Sequence, residues 1–544
     1  MSVFEKLSVS GGSVTGGSVE GATVKAIGCG VNAGDGIEVK STGVVSGTGG
    51  DMHSDRTDNT EIISYGVSAS TPGGGTALDV SGSGAVIGIG GNVTSSSEDK
   101  DAKNKSYGVY ASGGDVNVSG GTLSGTGGDI TNEDIGNLSC GILSKTDLKV
   151  TGGTVFGEGG ATTATDNKKI SRGVRTESAL TVSGGSLEGR GGTAYNSFGV
   201  DSIGAMTVKG TGILKGTGGS ALNGGASFGV NPNGKLTVSG GSLEGTGGEA
   251  AGNNGASYGV YGNGNALTAI DVSGGSLTGK GGHGGNNSHG VLAVGTVTVS
   301  GGSLEGTGGT ADHADSRGVL VATGALSISG GSLKGTGGAG GAASTNGSIG
   351  VEADDNISIS SGSLTGVGNN SAFNKQPHSL PSAGYFHRSS NTTTPPSNFT
   401  SSTTAAYVWN AGQKYAEIRD KEMPAVALTG GSATFPVGKA SADAVFSIGA
   451  NLPISSFSVT LNYEKTMMGA ADLTTSQVSA AEPWITLTFK RDYLNTLPVG
   501  THTATVYLQE DPFEGATVPI QLVATAAPSP APSSPGRANP STGV

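Results

Sequence analysis

Eight residues occupy one position of a recurring tetrad and carry side chains suited to holding a ligand: Tyr65, Tyr107, Arg172, Phe198, Phe228, Tyr258, His289 and Arg317. The tetrad is Ser-x-Gly-Val, intact in Ser64-Tyr65-Gly66-Val67, Ser106-Tyr107-Gly108-Val109, Ser197-Phe198-Gly199-Val200, Ser227-Phe228-Gly229-Val230 and Ser257-Tyr258-Gly259-Val260. Aromatic rings in a row present flat faces on which sugar rings stack. If Ser and Val face a core and Gly makes the corner, the x side chain points outward as an exposed stripe. Arg172 and Arg317 support that direction, because an unpaired guanidinium inside a narrow coil would be heavily desolvated. The same residues have a second possible use: stacking on one another to stiffen a rod, with Arg over the ring faces.

Other candidate chemistry is weaker. A position in a second repeated module reads Glu188, Lys215, Glu244, Thr278, Glu305, Lys334, which suits cross-strand ion pairing rather than a metal column of unbroken carboxylates. His283 and His289 with Asp312, His313 and Asp315 lack ligand spacing, so no metal site is expected and no cofactor is called for. Glycoside chemistry needs two carboxylates about 5–9 Å apart, and Asp201, Glu352, Asp354 and Asp355 fall on distant repeats or in a lone cluster. Chance glycine-rich phosphate loops carry no weight without a strand–helix context or a following Gly-Lys-Ser/Thr. Charged residues such as Glu38, Lys40, Lys149 and Asp271 interrupt any flat Thr array of the ice-binding kind.

These residues must be positioned by a repeat. Degenerate tetrads end at Val31, Ile142, Val174, Val291, Val319 and Val351, so Val31 to Val351 comprises ten intervals over 320 residues, a mean period of about 32. A second module follows each tetrad, clearest in Leu236-Thr237-Val238-Ser239-Gly240-Gly241-Ser242-Leu243-Glu244-Gly245-Thr246-Gly247-Gly248. Its apolar and polar residues alternate, and Gly-Gly pairs punctuate it; no 3.6-residue pattern appears. Three short strands per coil with glycine corners predict an all-β fold, a parallel β-solenoid of about eleven coils over 1–370, right-handed by the crossover rule. The valines should stack as one apolar column and the tetrad serines as a small inward ladder. The residue after each Val (Ser68, Tyr110, Arg175, Asp201, Asn231) varies as an exposed position does. Cys29 and Cys140 sit at x positions three coils apart, about 14 Å at the stacking distance, too far for a disulfide.

Residues 371–422, with Tyr385, Phe386, Tyr407, Trp409 and Tyr415, predict a cap over the open coil. Residues 423–525 predict an Ig-like β-sandwich of some seven strands, and the Pro-rich stretch 526–544 a disordered spacer. The chain of 544 residues holds 103 glycines, about one in five against a usual ~7%, without the strict period of collagen. Its formal charge of −12 and lack of a basic block argue against a nucleic-acid partner. No apolar run is long enough to span a membrane.

The run Ile485-Thr486-Leu487-Thr488-Phe489-Lys490-Arg491-Asp492-Tyr493-Leu494-Asn495-Thr496-Leu497-Pro498-Val499-Gly500 resembles the X2-type Ig-like module of Gram-positive extracellular proteins, in which a strand leads into a Tyr-Leu-x-x-Leu-Pro-x-Gly turn. Asn539-Pro540-Ser541-Thr542-Gly543 resembles a sortase sorting signal, with Asn in place of Leu and no hydrophobic segment or basic tail after it. The repeat array is similar to Gly-rich β-solenoid repeats of large surface proteins in gut-type Gram-positive bacteria. These resemblances imply secretion and attachment to peptidoglycan through sortase. Met1-Ser2-Val3-Phe4 lacks a signal peptide, so the chain reads as a piece of a longer surface protein. The functional expectation is a non-catalytic cell-surface rod, an adhesin that binds a glycan or a host surface or matrix protein through the exposed stripe. The alternatives are a polysaccharide lyase or hydrolase on a β-helix, and a spacer without a ligand.

Overall fold

The computed structural model describes residues 1–3, 5–17, 27–54, 62–95, 104–131, 137–163, 169–250, 252–264, 268–341, 347–382, 384–396, 400–402, 410, 412–420, 426–431, 433–450, 457–461, 472–476, 484–508 and 517–526. They are nearly all β, with long parallel sheets, and the chain divides into two compact units, Met1–Asp420 and Lys421–Val544.

In the first unit each tetrad strand pairs in parallel with its equivalent one repeat later. Ile62–Ser70 and Asn104–Ser112 align Ser64 with Ser106, Tyr65 with Tyr107 and Val67 with Val109. Among the described residues thirteen strands join one parallel sheet, the tetrad strands flanked by Ser2–Val3 and Ser371–Phe373. The second modules form another sheet whose strands also repeat in register, as in Leu243 beside Leu277 and Leu277 beside Leu304. This is the arrangement of a parallel β-solenoid. Val31, Val67, Val109, Val174, Val200, Val230, Val260, Val291, Val319 and Val351 are all 0% exposed and share one core with Leu236, Val238 and Leu243. Fully burying a side chain of this size stabilises by roughly 1.5–3 kcal/mol, so alternation in sequence becomes a continuous apolar column.

Two details differ from the three-strand expectation. The second and third strands of a coil often run on as one element, such as Leu236–Thr246 and Ser-Gly-Gly is a register shift within it rather than a break. Gly241, second of its pair, takes a φ of +66°, which disfavours a side chain there. The coil is so narrow opposite the tetrad that a Cβ on Gly245 would lie 2.2 Å from the Gly259 carbonyl oxygen. The other difference is a further four-stranded sheet of Met52–Ser54, Val93–Ser95, Ile130–Thr131 and Thr162–Thr163. Met52, Val93 and Ile130 form a small separate core with Ile62.

The array closes against antiparallel strands. Ile357–Val367 pairs with Tyr415–Asp420, which pairs in turn with Tyr385–Ser390. Phe373 takes the valine position above Val351, and Tyr385 and Ile418 join the core. Tyr385 and Tyr415 are buried and Phe386 half-buried, whereas Tyr407 and Trp409 lie outside the described residues.

Among the described residues the second unit holds two four-stranded sheets. One joins Val426–Gly430, Ala444–Ala450, Trp484–Phe489 and Leu473–Ser476; the other joins Ala433–Pro436, Thr517–Thr525, Gly500–Leu508 and Phe457–Leu461. Phe446, Ile448, Ile485, Leu487, Val506 and Ile520 fill a common core. In the Tyr-Leu-x-x-Leu-Pro run, Arg491–Leu494 forms one helical turn, Leu494 and Leu497 are buried, and His502 Nε2 lies 2.8 Å from the Pro498 carbonyl oxygen. The sorting-like residues Asn539 to Gly543 lie outside the described residues.

Candidate functional site

The tetrad serine and its x neighbour are one residue apart on the same strand and face opposite ways. On the inner side Ser64 donates its hydroxyl to the Gly50 carbonyl at 3.0 Å and accepts the Gly91 N–H at 2.9 Å. Ser106 does the same with Gly91 and Gly128, and Ser227 with Gly219 and Gly248. Each serine therefore clips the Gly-Gly corner before it to the corner one coil later. All these serines are 0% exposed, and their two bonds are what make a hydroxyl affordable in the core. The sequence separation between the serine and its acceptor ranges from 15 residues at Ser106 to 6 at Ser288, so one bond closes segments of very different length. The expected inward serine ladder is thus present, with backbone as its partner.

The x residues form a column outside the main core, in register from Cys29 through Tyr65, Tyr107, Cys140, Arg172, Phe198, Phe228, Tyr258, His289 and Arg317. They do not form an exposed stripe. Tyr107 is 3%, Arg172 8%, Phe198 9%, His289 4% and Arg317 4% exposed, while Tyr65, Phe228 and Tyr258 are half-buried. Neighbouring rings cover one another: Phe198 and Phe228 stack with centroids 4.7 Å apart, Phe228 and Tyr258 at 5.1 Å, and Tyr65 and Tyr107 at 5.4 Å. The next outward position closes over them. Tyr110 tilts against Tyr65 and Tyr107, and Tyr261 packs on Phe228 and Tyr258. The residue after each Val is therefore not a free surface position: Ser68, Asp201 and Asn231 are buried, and Tyr110 and Arg175 only half-exposed.

Between the two aromatic groups lies an ion-pair cluster. Asp201, 2% exposed, accepts from Arg172 Nε at 2.7 Å, Arg175 Nη1 at 2.6 Å and Asn231 Nδ2 at 2.8 Å. Arg172 also lies over the Phe198 ring, 5.1 Å from its centroid. Burial lowers the Arg172 pKa, and the Asp201 charge opposes that shift. The guanidiniums are thus inside but paired, which is why the desolvation argument for an outward, exposed Arg failed. At the other end Arg317 pairs with Asp315 and Glu352. Burial first, and the Arg317 charge second, push the His289 pKa down to about 3, so the ring is neutral at physiological pH. Burial, and then the neighbouring Tyr261, push Tyr258 up to about 12.

Both cysteines are free thiols; burial pushes Cys140 up to about 12 and Cys29 to about 11, which makes them poor nucleophiles. In the charged column of the second module Lys334 Nζ lies 2.8 Å from Glu305 Oε1 across coils, and Glu244 takes Lys280, two residues beyond the column's Thr278, at 2.8 Å. His283 Nε2 meets Asp312 Oδ1 at 2.9 Å, and among the described residues no group of three or more His, Cys, Asp or Glu is placed to hold a metal ion. Of the carboxylates considered for glycoside chemistry, Asp201 is bound to two arginines and Glu352 to one.

Sequence reasoning missed Tyr110, Tyr261 and the partnership of Asp201 with Arg172. A signal was present: Tyr at the position after Val coincides with aromatic x residues on the same and preceding coils, and Asp follows where Arg precedes. No protein-family model, no curated protein and no solved structure matches this chain.

Proposed function

We propose that this chain is a non-catalytic bacterial surface protein, a right-handed β-solenoid of about eleven coils carried on an Ig-like module. The Pro-rich spacer and the Asn539–Gly543 motif would join the full-length protein to peptidoglycan through sortase, and the rod would display a binding face for a glycan or a host surface protein. The observation that carries this reading is the column from Tyr65 to Arg317, whose rings stack on one another and whose arginines pair with the outward Asp201 and Glu352 of the next coil. Such a column stiffens a rod, and its members Tyr65, Phe228 and Tyr258 are only half-buried, which leaves part of each side chain for a ligand. A polysaccharide-cleaving site is disfavoured because Asp201 and Glu352 already neutralise buried arginines.

The test is binding of the full chain to a glycan array and to immobilised host matrix proteins. The reading expects a signal that Phe228→Ala with Tyr258→Ala abolishes while circular dichroism still reports the β fold. Release of reducing ends or unsaturated products from a polysaccharide panel would overturn it, as would the absence of any ligand.

A further inference from the structure

The sheet built from the second modules has an outward face, separate from the sheet that carries the x column. Down the middle of that face, in register from coil to coil, run Glu188, Lys215, Glu244, Thr278, Glu305 and Lys334. The charged side chains of this column are between 36% and 55% exposed. Most of the outward residues beside them are Ser or Thr, so a second flat surface can reach the charges. The order of the signs has a symmetry. Read from the opposite end with plus and minus exchanged, the column nearly reproduces itself. Glu188 answers to Lys334, Lys215 to Glu305, and Glu244 to Thr278, whose strand carries Lys280 two residues further on. Within the array these groups pair only as exposed neighbours: Lys334 with Glu305 and Lys280 with Glu244 at 2.8 Å, Lys215 with Glu244 at 4.0 Å. Pairs so open to water contribute little, and little is lost when they are shared with another surface.

We propose that this face is a self-association surface, occupied by the same face of a second copy of this chain lying antiparallel to it. A two-fold axis in the plane of contact, along the strand direction, reverses the order of the coils and keeps one column over the other. Glu188 then faces Lys334 of the second copy, Lys215 faces Glu305, and Glu244 meets Lys280 diagonally. Parallel arrays would set Glu on Glu and Lys on Lys in every coil, and like charges opposed across an interface repel. Each copy uses the face once, so the assembly closes at two. Six coils stacked at about 4.8 Å give a contact about 24 Å long. That size belongs to the weak, transient class of interface, and charge rather than apolar burial selects the partner.

Sedimentation velocity of the full chain over a concentration series tests it. The expected result is a reversible monomer–dimer equilibrium that weakens as salt is raised to about 1 M, where charges are screened within ~3 Å. Lys215→Glu with Lys334→Glu should raise the dissociation constant by about tenfold or more, and so should Glu188→Lys with Glu305→Lys. Both variants change only exposed side chains and should keep the circular dichroism spectrum. Mixing the two variant chains should restore association, because every reversed charge then meets its opposite. Carbodiimide coupling of carboxylates to amines reads the orientation. Glu188 and Lys334 stand about 24 Å apart in one array, so a direct cross-link between them joins two copies, and only antiparallel ones. A chain that stays monomeric at every concentration overturns the proposal. So does a dimer that is indifferent to salt and to both charge reversals.

Discussion

The serine column and the x column stand on the same strands, one residue apart, yet one is nearly uniform and the other changes at almost every coil. The difference lies in what each side chain touches. A tetrad serine bonds to backbone, the Gly carbonyl before it and the Gly N–H above it, and backbone is the same in every coil. An x residue touches the x residue of the next coil and the outward residue beside it, so its identity is free as long as the neighbours match. Aromatic rings meet rings from Phe198 to Tyr258, and arginines meet Asp201. Uniformity marks a backbone partner; matched variation marks a side-chain partner.

Three substitutions would break or sharpen that contrast, and hydrogen exchange resolved along the chain reads them all. Asp201→Ala leaves Arg172 buried without a counter-charge, while the half-exposed Arg175 keeps Glu177 at 3.8 Å. A loss of about 3–5 kcal/mol in local stability of the coils around Arg172 and Phe228 is expected, and a change below about 1 kcal/mol would mean the matching is incidental. Ser227→Ala takes away the hydroxyl partner of the part-buried Gly219 carbonyl and Gly248 N–H. That change should cost roughly 1–3 kcal/mol, seen as faster exchange of the Gly248 amide and of its neighbours on that corner. Glu305→Gln removes an exposed partner of Lys334 and should cost less than about 1 kcal/mol, with the remainder vanishing as salt is added. Equal effects from Asp201→Ala and Glu305→Gln would show that burial of the x column contributes nothing.

The repeat, the valine column, the serine ladder and the cross-coil charge pairs were legible because a fixed period converts sequence spacing directly into vertical contact. Val67 and Val109 need no tertiary knowledge once the period is known. The burial of Phe198 and Arg172 was not legible from the tetrad alone. It depends on a second outward position folding over the first, and variation at Tyr110, Asp201 and Tyr261 looks the same in one sequence whether the cause is solvent or a changing neighbour. In the second unit the strand Leu473–Ser476 is not legible in the sequence because its Thr and Ser residues lack apolar alternation and only its pairing with Trp484–Phe489 defines it. The run from Trp484 to Phe489 was plain, since Ile485, Leu487 and Phe489 all turn into the core.

The serine clip has a bearing on how such an array can diversify. Because a single hydroxyl ties the corner to the strand that follows whether the two stand 6 or 15 positions apart in sequence, the intervening segment is not measured by the scaffold. Loop-closure entropy rises by only about 0.6 kcal/mol for each doubling of length. Insertions and deletions in that segment are therefore nearly free, provided the Gly-Gly before it and the Ser after it survive. The framework acts as a rack of interchangeable inserts, on which surface novelty can accumulate coil by coil while the frame beneath stays the same.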